Sequence, residues 1–203
     1  MERIAKSAKV PKTLGARNSI MTTMNKRVLC LLAPGFEEIE TLTPVDLLRR
    51  AGAEVVLASI NGESWVTGRS AITVRADAFL ADVTGETFDL LVLPGGPGVK
   101  ALRSDGRAAR LAREQAKAGR PVGAICAAPT VLADAGLLAG KRYTAHFSVH
   151  NELPEALGAE RVVEDGDLIT SRGAGTALDF GLALVRRLFG EAKASEIAES
   201  VMA

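Results

Sequence analysis

Four groups of residues in this chain could carry chemistry, and the sharpest is a cysteine. In Pro121-Val122-Gly123-Ala124-Ile125-Cys126-Ala127-Ala128-Pro129-Thr130-Val131-Leu132-Ala133, the short apolar run VGAI reads as a buried strand. The alanine-rich segment after it, closed by Gly136, reads as a helix. Cys126 falls at the joint, flanked by residues with almost no side chain. This is the layout of a nucleophile elbow, where a sharp strand-to-helix turn lifts a reactive side chain above the sheet edge. The positive end of a helix dipole at that place favours thiolate over thiol, so an acidic, oxidisable cysteine is expected. A small buried apolar residue is the plain alternative, since free cysteine is among the most buried residue types.

The other three groups are an acid, a glycine pair and a histidine. In Ala33-Pro34-Gly35-Phe36-Glu37-Glu38-Ile39-Glu40, Glu40 lies one helical turn in and shares a side with Phe36. Glu37 and Glu38 are expected to complement the helix N-terminus and face solvent, and simple capping is the competing reading for any acid placed there. Gly95 and Gly96, in Pro94-Gly95-Gly96-Pro97-Gly98, offer backbone N–H groups that no Cβ obstructs. Such donors could bind an oxyanion formed when Cys126 attacks a substrate, or the pair could be a tight turn. His146 and His150 are the only histidines. A nucleophilic cysteine often works with a histidine that takes or returns its proton. His146 follows a short strand expected over Lys141–Ala145 and is the better candidate, whereas His150 suits a surface helix start.

These groups need a scaffold, and the hydrophobic pattern supplies one. Arg27–Ala33 is a near-continuous apolar run, as in a strand covered on both faces. Pro34-Gly35 turns the chain into a helix over Phe36–Ala51, ended by Gly52. Glu54–Ile60 is a second strand, and Asn61–Val74 suggests a short hairpin. Asp89–Leu93 is a third core strand, Asp105–Ala118 a helix, and then comes the Cys126 strand with its helix. Asn151–Leu157 reads as helical. Arg161–Val163 and Asp167–Thr170 flank the turn Glu164-Asp165-Gly166, and helices over Gly173–Phe189 and Glu191–Met202 close the chain. Alternating strand and helix calls for a doubly wound, three-layer α/β fold. Ligands in such folds bind outside the carboxyl ends of the strands, where the acid, the glycine loop and the thiol would meet.

With 203 residues, 47% of them hydrophobic and 24% charged, the chain suits one globular domain with an adequate core. The net charge of +1 hides an asymmetry. Residues 1–23 carry Arg3, Lys6, Lys9, Lys12 and Arg17 against Glu2 alone, so the remainder is mildly acidic and shows no nucleic-acid surface. The stretch 1–23 lacks an apolar core segment and is not a secretory signal. It reads as a disordered extension, as an early start codon before Met24, or, on its basic acid-poor composition, as an organelle transit segment; residues 24–203 form the domain. Cys30 and Cys126 are too few for a disulfide framework and lack metal-ligand spacing, which fits a reducing cytoplasm. No apolar run approaches membrane-spanning length. Cys30, inside an apolar strand, reads as inert core, and Trp65 as an edge or interface residue.

Four segments together resemble the ThiJ/PfpI superfamily, in the branch of the parkinsonism-associated deglycase and its bacterial relatives. They are APGFEEIETLTPVDLLRRAG (Ala33–Gly52), VLPGG (Val92–Gly96), GAICAAPTVLA (Gly123–Ala133) and TSRGAGTALDFGLALV (Thr170–Val185). The resemblance implies a flavodoxin-like sandwich with a mostly parallel central sheet, usually a homodimer. It maps the reactive cysteine onto Cys126, and onto Glu40 a protonated acid that hydrogen-bonds the sulfur. A carboxyl beside a thiolate should indeed stay neutral, because two like charges ionise together only at high cost. The oxyanion and substrate-binding positions fall on Gly95, Gly96, Ala127, Ser171 and Arg172, and the family histidine on His146. Phe147 stands where many relatives have proline. Arg49 and Arg69 match arginines at the dimer contact.

The activity implied is a glutathione-independent glyoxalase or deglycase acting on methylglyoxal, glyoxal and their early adducts on amines and thiols, with no metal or organic cofactor. A redox sensor or stress chaperone using the same cysteine is the alternative. A PfpI-type peptidase is disfavoured, because such members carry histidine where this chain has Ala127. An amidotransferase-like hydrolase would want a C-terminal histidine pair, and no histidine follows His150.

Overall fold

The computed structural model describes residues 26–203, so the basic stretch 1–23 and Met24 lie outside the described residues. In chain order the elements are β1 (Arg27–Leu32), α1 (Glu38–Arg50), β2 (Glu54–Ser59), β3 (Trp65–Thr67), β4 (Thr73–Arg75), β5 (Ala78–Phe79), α2 (Leu80–Val83) and β6 (Leu90–Leu93). There follow α3 (Val99–Asp105), α4 (Arg107–Lys117), β7 (Val122–Ile125), α5 (Pro129–Asp134), β8 (Val162–Asp165), β9 (Leu168–Ser171), α6 (Ala177–Phe189) and α7 (Glu191–Ser200).

Seven strands form one sheet in the order β5-β2-β1-β6-β7-β9-β8. All neighbours are parallel except the edge strand β8, which runs antiparallel to β9. The inner order β2-β1-β6-β7-β9 is the flavodoxin-like winding, whose direction reverses between β1 and β6 and opens a crevice there. Side-chain alternation along β1 builds both cores. Leu29 and Leu31 join Leu91, Leu93, Val122 and Ala124 on one face, covered by α2, α3, α4 and α5. Val28 and Cys30 join Leu90, Val92 and Ile125 on the other, covered by α1, α6 and α7. This is the expected three-layer sandwich.

Two glycines let the second layer close. A Cβ on Gly123 would lie 2.9 Å from Leu184 Cδ2 and 3.0 Å from Phe180 Cζ, so α6 sits directly on β7 there. A Cβ on Gly181 would lie 2.5 Å from Leu47 Cδ1 and 3.0 Å from Pro44 Cα, so α6 packs directly against α1 there.

Several elements differ from the sequence reading. The expected helix over Asp105–Ala118 is two helices, α3 and α4, separated by Gly106 in a left-handed conformation (φ 74°). The short β5 and α2 had no pattern long enough to show. Lys141–Ala145 is extended but forms no ladder, because β7 pairs directly with β9. Its backbone bonds go elsewhere: Thr144 N donates to Thr170 Oγ1 at 2.9 Å, and Tyr143 O accepts from Leu157 N at 2.9 Å. Asn151–Leu157 consists of turns after a single 3-10 turn at Phe147–Val149, and another 3-10 turn at Ala174–Thr176 precedes α6. The hairpin at Asn61–Val74 is present as the antiparallel pair β3–β4.

Candidate active site

Cys126 follows β7 directly and adopts φ 65°, the left-handed region that L side chains rarely enter. Strain of that kind costs on the order of 1–3 kcal/mol and persists only where the surroundings hold it. Here both backbone groups are held: Cys126 N donates to Ser171 O at 2.8 Å, and Cys126 O accepts from His146 N at 2.9 Å. The strand-to-helix elbow is therefore present. The helix after it, α5, has only six residues and starts at Pro129, so its dipole is weaker than the sequence reading assumed.

Glu40 reaches the cysteine from the first turn of α1, on the other side of the crevice. Glu37 caps that helix, its Oε2 accepting from Glu40 N at 2.7 Å. Glu37 and Glu38 do not face solvent as expected; they are 8% and 5% exposed, Glu38 because the tip of the β3–β4 hairpin folds against it, and Glu37 lines the cavity beside Glu40. Glu38 Oε1 accepts from Ser70 N at 2.7 Å and so ties the hairpin tip to α1. Glu40 is 2% exposed, and its carboxyl faces the Cys126 thiol and the Gly95 N–H within hydrogen-bonding reach. Its Oε2 makes no well-aligned hydrogen bond to any described residue. A buried acid left in that state asks for a catalytic or redox explanation.

Gly95 is pinned between the two reactive groups. A Cβ there would fall 2.2 Å from Glu40 Oε2 and 2.6 Å from Cys126 Cβ, so only glycine fits. Gly96 (φ 86°) turns its N–H to the Cys126 sulfur, as does Ala127. Burial pushes the Glu40 carboxyl up to about 7, with the charge of Glu37 adding to the effect. Burial also pushes the Cys126 thiol up, to about 12, with the neighbouring Glu40 charge and hydrogen bond adding to it. The two groups thus resist carrying two negative charges together and share one. Protonating Glu40 removes the repulsion, and Gly96 N–H and Ala127 N–H then favour the thiolate, but burial still raises the thiol, against the acidic cysteine expected from the helix dipole.

His146 sits beside the elbow. Its Nδ1 accepts from Ser148 N at 3.3 Å and lies 2.8 Å from Ser148 Oγ. The neutral ring therefore carries its proton on Nε2, an assignment from the hydrogen-bond pattern. Burial lowers its pKa, helped by His150 and Arg69. His150 is turned away, with Nε2 at 3.3 Å from Ala145 O. Phe147 is 76% exposed, its ring centroid 4.1 Å from that of His146.

Cys126, Glu40, Gly96, Ala127 and His146 all line one cavity of about 480 Å³. Ser171 and Arg172 do not. Ser171 is fully buried beneath the elbow, its hydroxyl engaged with Arg161 O at 3.0 Å and Thr176 Oγ1 at 2.6 Å. Arg172 bonds Ala159 O at 3.2 Å and lines a separate groove of about 510 Å³. Arg49 pairs with Asp77 at 2.8 Å at the β2 side of the sheet, away from the cavity. Arg69, in contrast, lines the cavity, as do Lys100, Arg103 and Thr130, which the sequence reading did not single out. A weak signal existed for Lys100 and Arg103, which follow the glycine loop at a strand end. None existed for the cavity position of Arg69, which depends on how the hairpin folds back. Among the described residues no group of three or more His, Cys, Asp and Glu could hold a metal ion, and no helix is long and apolar enough to cross a membrane.

A flavodoxin-like sheet with a cysteine on a strained elbow beside a buried acid defines the class of this protein. The chain belongs to the DJ-1/PfpI family, whose model matches residues 26–187. It is 40% identical over 183 residues to protein dj-1beta of Drosophila melanogaster, covering 88% of this chain and 98% of that one. It is 37% identical over 178 residues to a Caenorhabditis elegans protein named glutathione-independent glyoxalase DJR-1.2, covering 85% and 94%. The crystal structure of Drosophila DJ-1beta superposes with a TM-score of 0.85 at 40% identity, covering 88% of this chain and 98% of that chain. The structure described as oxidized DJ-1 of Toxoplasma gondii gives 0.83 at 33% identity, covering 87% and 98%.

Proposed function

We propose that this protein converts methylglyoxal or glyoxal, free or as early adducts on amines and thiols, into hydroxy acids without glutathione. One observation carries the reading: the Cys126 thiol, a Glu40 carboxyl with a pKa of about 7, and the N–H groups of Gly96 and Ala127 meet in one cavity. The name of the C. elegans relative supports the same chemistry.

In the proposed reaction the Cys126 thiolate adds to the aldehyde carbon, and protonated Glu40 gives its proton to the oxygen that becomes a hydroxyl. The Gly96 and Ala127 N–H groups stabilise charge on that oxygen as it forms. Glu40, now ionised, takes the hydrogen of the same carbon as a proton, and the electron pair left behind forms an enediolate. His146 Nε2–H supports the second oxygen. Glu40 then returns the proton to the neighbouring carbon, while His146 Nε2 gives its proton to the second oxygen and takes the hydroxyl proton of the first, which leaves a 2-hydroxy thioester on Cys126. Water cleaves the thioester and restores the thiol. One carbon is oxidised and its neighbour reduced, so no external oxidant or reductant enters, and one water is consumed per lactate. A pKa of about 7 lets Glu40 give and take a proton at neutral pH. The homodimer, the cytoplasmic location and residues 24–203 as the working domain belong to the same proposal.

A second reading draws on the donors around the sulfur. A Cys126 sulfinate, formed by a peroxide, would be met by Gly96 N–H, Ala127 N–H and the protonated Glu40, the arrangement of a redox sensor or redox-controlled chaperone. Incubation with methylglyoxal, with no added thiol, separates the two when aldehyde loss and lactate are followed together. Lactate accumulating well beyond one molecule per chain is the expected result. Aldehyde loss that stops at one equivalent without lactate overturns the enzyme reading in favour of the sensor.

A further inference from the structure

We infer that Ser148 is a positioning residue of the proposed reaction: it holds His146 as a neutral imidazole whose single ring proton sits on Nε2. The inference rests on the reaction proposed above, in which Nε2 gives a proton to one oxygen and takes one from the other. A ring that carries its proton on Nε2 can do both at that atom and is neutral before and after. Neutral imidazole is a known device for polarising a carbonyl oxygen on the way to an enediolate.

The two edges of the His146 ring meet different surroundings. On one edge, Nδ1 lies 2.8 Å from Ser148 Oγ and accepts from Ser148 N at 3.3 Å. A hydroxyl can donate or accept, but a backbone N–H can only donate. With that N–H aimed at Nδ1, a ring proton there would face another proton, so the hydroxyl donates as well. Among the described residues Ser148 Oγ has no other hydrogen-bond partner. On the other edge, a Cβ on Gly173 would lie 3.3 Å from His146 Cδ2 and 3.9 Å from Glu40 Oε1. Cδ2 is bonded to Nε2, so this edge of the ring and the Glu40 carboxyl flank the same glycine. His146 and Ser148 both line the cavity that holds Cys126.

The backbone fixes the spacing that makes this possible. His146 N donates to Cys126 O at 2.9 Å, which ties the histidine to the elbow. His146 then caps the 3-10 turn Phe147–Val149, and Val149 N donates to His146 O at 3.1 Å. That turn brings the N–H and hydroxyl of Ser148 back onto the ring two residues before it, the geometry of a local capping bond. The Phe147 ring packs against the imidazole, with centroids 4.1 Å apart. Burial and the neighbouring His150 and Arg69 also oppose a second ring proton.

Ser148→Ala keeps the backbone N–H and removes the hydroxyl, whereas Ser148→Thr keeps both. His146 and His150 are the only histidines, so His150→Gln assigns the His146 signals in nitrogen-15 NMR. At neutral pH, wild type and Ser148→Thr should carry the proton on Nε2 with Nδ1 bare. Ser148→Ala should populate both tautomers. Its kcat for lactate from methylglyoxal should fall about fivefold, the worth of one neutral hydrogen bond, with KM unchanged within about twofold. Threonine should restore kcat and tautomer together. A wild-type ring that is charged, or protonated on Nδ1, overturns the inference. So does a Ser148→Ala protein whose tautomer or kcat matches that of an active wild type. If wild type makes no lactate yet the tautomer shifts in Ser148→Ala, the proposed reaction fails and the hold of Ser148 on His146 stands.

Discussion

Cys126 and Glu40 come from segments 86 positions apart in the chain, and what they share is a proton. Burial raises the Glu40 pKa from its ordinary 4.5 to about 7, so the folded protein holds this proton more tightly than the unfolded chain does. Stability from that source is complete below pH 4.5 and is lost as pH rises through about 7. Wild type should lose up to roughly 3 kcal/mol over that window relative to Glu40→Gln, as read by denaturant midpoints at a series of pH values. Parallel pH profiles for the two proteins would contradict this account of Glu40. Gly95 gives a second prediction. With a Cβ forced to within 2.2 Å of Glu40 Oε2 and 2.6 Å of Cys126 Cβ, Gly95→Ala should lose at least about a hundredfold in lactate formation. Circular dichroism would check that the fold remains. Cys126, Glu40, Gly95 and Gly96 were legible in the sequence because strand ends, turn glycines and a first helical turn are local signals. The burial of Glu38 was not, since it depends on a hairpin that begins more than twenty residues later.

At the level of elements, the site is a meeting of loops: β1 to α1 brings Glu40, β6 to α3 brings Gly95 and Gly96, and β7 to α5 brings Cys126. All three lie at the carboxyl ends of adjacent parallel strands, at the point where the winding reverses. Hydrophobic runs revealed those three strands because strands covered on both faces are nearly continuous in apolar residues. Lys141–Ala145 looked equally strand-like, yet Thr144 bonds a threonine side chain instead of a neighbouring strand. Apolar character alone does not say which segment obtains a place in the ladder. The break at Gly106 was likewise hidden, because a glycine between two helical stretches can be tolerated or can end the first. The α1–α6 contact supports a test with a counter-intuitive sign. Alanine replacing a helical glycine ordinarily stabilises by about 1 kcal/mol. At Gly181 the added Cβ would lie 3.0 Å from Pro44 Cα, a backbone atom that cannot rotate away. Gly181→Ala should therefore be destabilising, by about 1–2 kcal/mol net, in a urea titration. A stabilised variant would show that α1 and α6 are free to separate.

Seen whole, the molecule is a two-faced sheet in which one layer, α1, α6 and α7, places the acid, and the other, α2 to α5, carries the helix that follows the nucleophile. The crevice between β1 and β6 lies where the two windings diverge, so the pair can meet without either layer being broken. The family was legible from four segments in the right order, and the fold followed from strand–helix alternation. The shape and charge of the cavity were not legible, because Arg69, Lys100, Arg103 and Thr130 converge only once every loop is in place. The central claim is that this architecture exists to make Cys126 a nucleophile toward an aldehyde. Steady-state lactate formation from methylglyoxal, without glutathione, by wild type, Cys126→Ser and Cys30→Ser tests it most directly. Turnover should vanish in Cys126→Ser and persist in Cys30→Ser, whose cysteine is buried in the core. Turnover in Cys126→Ser within a few-fold of wild type would contradict it.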